Sequence, residues 1–298
     1  MVHLKNTDMK SKIRSGIIGH AIGDAMGVPA EFMSRSQLLN HPICDMEGYG
    51  THGMPAGTWS DDTSMEIALL QSLIDCKRFD FEDIMNNFCK WSEDDEFTAT
   101  GITFDIGGTC ARALSNYRIG TSPCECGGKD ERSNGNGSLM RILPVALVCY
   151  RNSITGRDRY ELVRKVSSLT HAHEISILGC FIYVNLICRL LDDDDFAVAY
   201  SKIQQNDYSM FSDTALEVYK RILADNITRY DEDDISSSGY VLNTLEASLW
   251  CLSNTKSYEA AVLKAVNLGD DTDTVGAVVG SMAGILYGLE AIPHKWIS

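Results

Sequence analysis

Two sets of glycines recur every four residues, near opposite ends of the 298-residue chain. Gly19, Gly23 and Gly27 form the first set, and four glycines from Gly276 to Gly288 form the second. Residues four apart share one face of a helix, and each interior glycine costs about 1 kcal/mol relative to alanine. The pattern therefore indicates two helices whose backbones lie in close contact with another group. A second helix and a bound ligand are both possible, and the spacing does not choose between them.

Apolar residues recur at helical spacing along nearly the whole chain, and alternating β-branched runs are almost absent. The periodicity predicts helices over residues 81–91, 140–150, 159–168, 174–191, 212–224, 240–252 and 257–267. Pro29 is expected to end the first helix. The breaks between helices are short and mixed in composition, so none is typical of a flexible linker. We therefore expect a single all-α domain over residues 1–298.

The charge balance narrows the partners that the chain can have. The formal net charge is −15, which argues against nonspecific binding to nucleic acid or to an anionic membrane. Residues 275–289 form an almost uncharged stretch, but 15 residues are fewer than the roughly 20 that a membrane span needs. A buried core helix is the better interpretation of that stretch.

The chain has ten cysteines and no CxxC pair. Its first residues lack the apolar run of a secretory signal, so we expect free thiols in a reducing cytoplasm. Cys124 and Cys126 form a CxC that could hold a metal, but no second pair stands nearby, and a plain loop is the better interpretation.

Two acidic motifs open apolar helical runs, WSDDT at residues 59–63 and GDDTDT at residues 269–274. Acids in the first turn of a helix can act as caps and favour the macrodipole. A cap needs only one acceptor, however, and the same arrangement occurs twice. Carboxylate and hydroxyl oxygens are hard ligands that select Mg²⁺, Mn²⁺ or Ca²⁺. The pair of motifs therefore favours a divalent-cation site.

Four other segments carry polar residues that have either a structural or a functional explanation. Asp24 lies near a helix end, where an acid opposes the dipole, and Glu31 could be an ordinary surface charge. Asp105 stands between apolar residues and would need a partner if it is buried. SNGNGS at residues 133–138 could form an anion-binding nest or a simple turn. In THAH at residues 170–173, a polar cap or ligand contact is favoured over a zinc pair.

Taken together, these segments resemble the ADP-ribosylglycohydrolase family, which includes the dinitrogenase-reductase-activating glycohydrolases. The matching pieces stand in the family's order: GDAMGVPAEF, WSDDT, GITFDIGGT, GNGSLMR, LTHAHE and GDDTDTVGAVVG. They span residues 23–280, nearly the whole chain. The two aspartate motifs in combination are the most specific part, and GITFDIG is closer to the bacterial branch than to the vertebrate one.

The resemblance implies an all-α fold, a compact orthogonal bundle of many helices, with two Mg²⁺ or Mn²⁺ ions in one cleft. It implies acid–base roles for Glu31 and Asp105, without saying which does what. The implied metal ligands are Ser60, Asp61, Asp62, Asp271, Asp273 and Thr274. The implied substrate-binding residues are Asn136, Gly137, Ser138, Leu139, Met140 and His171. The family often has threonine where Ser60 stands, and serine keeps the hydroxyl.

The resemblance also implies the reaction, which is hydrolysis at the ribose anomeric carbon that releases ADP-ribose from a modified protein side chain. Two cations can orient a ribose diol and polarise a water, and a carboxylate can stabilise oxocarbenium character or act as a base. Arginine linkage suits the bacterial-looking branch. Serine-linked or small-molecule ADP-ribosyl substrates stay open, as does a catalytically weak ADP-ribose-binding protein. We expect a cytoplasmic monomer that binds neither nucleic acid nor membrane.

Overall fold

The computed structural model describes residues 2–297, with side chains from Met9 onward. It is 64% helical. The described residues contain two isolated β-bridges and no strand. The α-helices in the described part are α1 Val2–Gly27, α2 Arg35–Asn40, α3 Asp61–Cys76, α4 Phe81–Asp94, α5 Gly108–Arg118, α6 Leu143–Arg151, α7 Gly156–Ser167, α8 Glu174–Leu191, α9 Phe196–Gln204, α10 Asp213–Val218, α11 Lys220–Leu223, α12 Val241–Ser253, α13 Tyr258–Val266, α14 Thr272–Tyr287 and α15 His294–Ile297. The all-α prediction is confirmed.

The two glycine stripes pack against each other, because α1 and α14 run side by side in opposite directions. A Cβ on Gly19 would collide with the carbonyl oxygen of Gly280, and one on Gly23 with that of Gly276. The stripes therefore serve close helix–helix approach. Gly288 is the exception in its set, since it ends α14 with a φ of +82° and has no atom near its missing Cβ.

Most predicted helices match the structure to within a few residues, and two differ for identifiable reasons. The helix predicted over 140–150 begins only at Leu143, next to Pro144, which suits a first turn. The helix predicted over 212–224 breaks into α10 and α11 at Tyr219, whose buried ring donates its hydroxyl to the carbonyl of Ile175. Helix α1 ends at Gly27, and Pro29 lies in the following 3₁₀ turn, as expected.

The central helix of the core is α8, which contacts helices on several sides. Among the described residues it is the one helix long and apolar enough to cross a membrane, and 83% of it is buried inside the fold. Burial on this scale is typical of a core helix. All ten cysteines are free thiols, and six of them are buried. Cys126 donates its thiol to the carbonyls of Thr121 and Ser122, which fits a loop.

Candidate active site

The start of α3 is capped by an acid from another helix. Asp24, fully buried on α1, accepts hydrogen bonds from the backbone N–H of Ser60 at 2.9 Å and of Thr63 at 3.0 Å. It also accepts the Thr63 hydroxyl at 2.6 Å. This explains an acid near the C-terminal end of α1. Since Asp24 satisfies these donors, the carboxylates in the first turn of α3 are not needed as caps.

The two aspartate motifs meet, although 212 residues separate them along the chain. The hydroxyl of Thr274, in the first turn of α14, donates to Asp62 Oδ2 at 3.3 Å. The Ser60 hydroxyl donates to the same oxygen at 3.2 Å. The starts of α3 and α14 therefore form one polar cluster.

Three carboxylate oxygens of this cluster are buried and have no hydrogen-bond partner among the described residues. They are Asp62 Oδ1, Asp271 Oδ1 and Asp273 Oδ2. A buried carboxylate oxygen left without a donor carries a large desolvation penalty. The arrangement is therefore incomplete as a set of protein groups alone, and a cation would complete it.

The electrostatics of the cluster lead to the same conclusion. Burial raises the pKa of Asp61, Asp62 and Asp273 well above the usual range of aspartate. The nearby charges of Asp24 and Asp61 add to the rise at Asp62, and those of Glu31 and Asp62 add to it at Asp273. Like charges that repel at close range are neutralised either by protons or by a bound cation.

Two groups of three carboxylates bring oxygen atoms within 4.8 Å of one another, and they share Asp273. One group adds Asp24 and Asp62, and the other adds Glu31 and Asp271. Oxygen ligands in this number suit a hard divalent cation. The residues present therefore fit such an ion. Asp24, which sequence reasoning left as a helix-end acid, lies in the first group.

Part of this cluster lines a cavity of about 250 Å³, whereas Ser60, Asp62 and Asp273 lie outside its lining. The acidic and hydroxyl side chains of the lining are those of Glu31, Asp61, Asp105, Asp271 and Thr274, and the same cavity is lined by Asn136, Gly137, Met140 and His171. Most of the residues singled out from the sequence thus come together around one space.

Glu31 and Asp105, which line this cavity, lie beside a histidine that the sequence did not single out. Nε2 of His52 contacts the Glu31 carboxylate, and one ligand atom each from Glu31, His52 and Asp105 lie within 4.8 Å of one another. Burial raises the pKa of Glu31 to about 10, with help from the charges of Asp105 and Asp271. Burial likewise raises the pKa of Asp105, which stands at a φ of +53°.

The 136–140 loop divides into residues that face the cavity and residues that do not. The Asn136 amide donates to Asp271 Oδ2 and to the Thr244 hydroxyl, both at 2.9 Å. The side chains of Ser138 and Leu139 are buried behind the cavity and do not line it, and Ser138 accepts the Ser167 hydroxyl at 3.0 Å. Any substrate contact of these two residues is therefore left to their backbone.

His171 lines the cavity as a neutral imidazole. Burial, with the charge of Arg141 and then of Arg112, lowers its pKa to about 3. Its Nδ1 is hydrogen-bonded to the Thr170 hydroxyl at 2.8 Å. His173 instead caps α8, where its Nδ1 accepts the Ile175 N–H. The two histidines are thus employed separately, as the sequence favoured.

The family model for ADP-ribosylglycohydrolase matches residues 5–298 of the chain. The chain belongs to the ADP-ribosylglycohydrolase family. It is 32% identical over 298 residues to the ADP-ribosylarginine hydrolase Tri1 of Serratia proteamaculans (strain 568), covering 99% of this chain and 76% of that one. It is 28% identical to the ADP-ribosyl-[dinitrogen reductase] glycohydrolase of Rhodospirillum rubrum, covering 94% and 87%.

A solved structure titled "ADP-ribosylglycohydrolase-related protein complex" superposes on the fold with a TM-score of 0.82. The two chains are 29% identical, and the match covers 97% of this chain and 92% of that one. The resemblance stated from the motifs is confirmed, and the chain is an enzyme of the glycosidase type that acts on ADP-ribosyl groups.

Within this ADP-ribosylglycohydrolase, sequence reasoning missed His52. It stands in a glycine-rich loop with no periodicity, so no local signal distinguishes it. Its neighbour Thr51 shows how the fold positions it: the Thr51 N–H donates to the Pro29 carbonyl at 2.9 Å, and its hydroxyl donates to the Glu31 carbonyl at 2.6 Å. Only the folded chain brings this loop against Glu31.

Proposed function

We propose that this ADP-ribosylglycohydrolase removes ADP-ribose from arginine side chains of modified proteins, in a reaction that depends on two Mg²⁺ or Mn²⁺ ions. The observation that carries the proposal is the set of buried, unpartnered oxygens of Asp62, Asp271 and Asp273 next to the cavity that Glu31, Asp105 and Asp271 line. The choice of arginine rests on two relatives, each named ADP-ribosylarginine hydrolase, that are 31% and 32% identical to this chain.

The cation ligands that we propose are the six residues implied by the family resemblance. They are Ser60, Asp61, Asp62, Asp271, Asp273 and Thr274. Divalent cations at this position would supply Lewis-acid chemistry, which orients a ribose diol and favours attack by water. The Asn136 amide holds Asp271 by one carboxylate oxygen and leaves the other free.

The remaining lining of the cavity is suited to the rest of ADP-ribose. Asn136, Gly137 and Met140 line the cavity together with His171, whose ring is neutral. A Cβ on Gly137 would come within 2.8 Å of His171 Cε1 and 2.9 Å of Cys110 Sγ. The glycine therefore lets the loop lie directly against the histidine, and the neutral ring can accept or donate a hydrogen bond without carrying charge.

The acid–base work falls to Glu31 and Asp105. A water adds to the anomeric carbon, the bond from that carbon to the arginine nitrogen breaks, and the nitrogen takes up a proton. Glu31 and Asp105 both line the cavity and lie next to each other, so one can give that proton to the leaving guanidine while the other removes a proton from the water. His52 holds the Glu31 carboxyl in place.

The experiment that tests the proposal measures ADP-ribose release from an arginine-linked and a serine-linked ADP-ribosylated protein, with and without Mg²⁺ or Mn²⁺. We expect metal-dependent release from the arginine-linked protein alone. Release only from the serine-linked protein would refute the linkage. Binding of ADP-ribose without any release would instead favour a binding protein. We further propose that the enzyme is a cytoplasmic monomer.

A further inference from the structure

Exposed apolar side chains lie in the three chain segments that carry Glu31, His52 and Asp105. Nine large apolar side chains are exposed within the described residues, and four of them are Phe32, Tyr49, Ile102 and Ile106. Phe32 lines the cavity, and Ile106 stands between Asp105 and Gly107, which line it too. We call these four residues the apolar rim. Exposed apolar residues that stand singly need no explanation, but a cluster beside an active site indicates a contact surface.

The His52 ring contacts two aromatic rings from the segments that carry the apolar rim. The His52 ring lies 5.1 Å from that of Phe104 and 6.0 Å from that of Phe32, measured between centroids. Phe104 belongs to the same loop as Ile102 and Ile106, and Tyr49 belongs to the same loop as His52. The loop at residues 41–58 and the segment 93–107, which comprises the last two residues of α4 and the loop after it, thus meet at His52, beside Glu31.

The charged side chains of these two segments, apart from histidine, are all acidic. The segments contain seven acids and no lysine or arginine. Asp45 pairs with Lys295 and Glu93 with Arg118, and the remaining acids have no salt bridge to a basic residue among the described side chains. On the His171 side of the cavity, by contrast, Arg112 donates to the hydroxyl of Thr109, which lines the space. A partner at the rim would therefore meet an apolar and acidic surface.

We propose that the apolar rim and its flanking acids dock the surface of the protein that carries the ADP-ribose, and that this surface is basic around the modified residue. The inference rests on the proposed function. If the anomeric carbon reacts beside Glu31 and Asp105, the residue linked to it must leave the cavity past the rim. Tyr49 and Ile102 do not line the cavity, so a substrate contacts them only if it extends beyond the cavity, as a modified protein does. Charge complementarity of this kind raises the association rate and selects partners.

The test compares two substrates that share the same glycosidic bond: a protein ADP-ribosylated on an arginine flanked by lysines, and ADP-ribosylated free arginine. The variant is the double substitution Tyr49→Ser and Ile102→Ser, which removes two side chains that are 76% and 55% exposed and do not line the cavity. The matched control is Ile119→Ser, at the end of α5, where the side chain is 80% exposed.

We expect the double variant to lose about tenfold in kcat/KM on the protein, mainly through KM, as for removal of contact residues at an interface. On free ADP-ribosylarginine it should match the wild type, which also shows that it folds. The control should match the wild type on both. Raising the salt concentration from about 50 to about 300 mM should slow the reaction of the protein substrate alone.

Equal losses on the two substrates, or no loss on either, would overturn the docking surface while leaving the hydrolase intact. A wild-type enzyme that cleaves neither substrate would overturn the proposed function, and the docking surface with it.

Discussion

The substitution Gly23→Ala tests whether the contact between α1 and α14 is as tight as the structure indicates. A Cβ at Gly23 would lie far inside 3.0 Å of the Gly276 carbonyl oxygen, a distance that real Cβ atoms essentially never show. The obstructing atoms are backbone, so no side chain can rotate away. Gly16→Ala is the matched control on the same helix, since its nearest atom is Cγ1 of the Ile285 side chain, at 2.9 Å.

The two substitutions should change the free energy of unfolding by clearly different amounts. Alanine in a helix interior gains about 1 kcal/mol over glycine. Since carbon contacts are normally about 3.5 Å, Gly23→Ala would force the two backbones apart by about 1 Å. Overpacking costs about 1–3 kcal/mol where side chains adjust and more where they do not. We therefore expect a net loss of about 2 kcal/mol in the free energy of unfolding for Gly23→Ala, and little change for Gly16→Ala.

Urea denaturation measures the free energy of unfolding directly, and calorimetry should show a fall in melting temperature of about 3 °C for a chain of this length. Asp24 follows Gly23 and caps α3, so the affinity for Mg²⁺ should fall as well. A Gly23→Ala variant as stable as the wild type would show that α1 and α14 do not approach as closely as described.

Three further predictions concern the site. Asp62→Asn should abolish Mg²⁺ binding by calorimetry and lower turnover by about a hundredfold or more, whereas Asp270→Asn, exposed at a φ of +57° that asparagine accepts, should change neither. His52→Gln should lower kcat more than KM and shift the pH profile, because it frees Glu31; an unchanged profile would refute this. Without cation, urea denaturation should show stability falling as the pH rises from about 5 to about 10, since the raised pKa of the site acids means that the folded state holds more protons than the unfolded state over that range. Mg²⁺ should flatten that slope, and a flat slope without it would contradict the reasoning.

The sequence predicts which residues form the site better than it predicts the contacts that hold them in place. An aspartate motif repeated at two helix starts predicts that the two helix starts meet, because the carboxylates of both motifs would be neutralised by the same cations. The role of Asp24 could not be predicted from the sequence, since it caps a helix whose N-cap residue, Ser60, lies 36 residues later. Ser138 was expected to face substrate, but its motif cannot tell which way each side chain of a tight loop points.

Helices whose position depends on the local sequence pattern could be predicted. Features that depend on tertiary contacts, such as a break within a helix, could not. Four-residue glycine spacing indicated a close approach, and the structure identifies the partner helix. The break at Tyr219 has no local signal, because the apolar pattern continues through it. The ring instead lies against Gly179, where a Cβ would come within 2.5 Å of the hydroxyl, and only the packing of α8 decides that.

The contact between the glycine stripes also fixes the position of the acidic cluster. The last glycine of the first stripe, Gly27, lies against the backbone of Asp273, and a Cβ there would collide with it. The Thr272 hydroxyl also donates to the Gly27 carbonyl at 2.8 Å. The start of α14 is thus fixed against the end of α1, three residues beyond the Asp24 that caps α3. Two helix N-termini, each with a partial positive charge, are therefore directed at one place. Their dipoles stabilise the carboxylates that they carry, and the close packing of small residues brings the two helix ends to one acidic site, where a cation would balance the repulsion that remains.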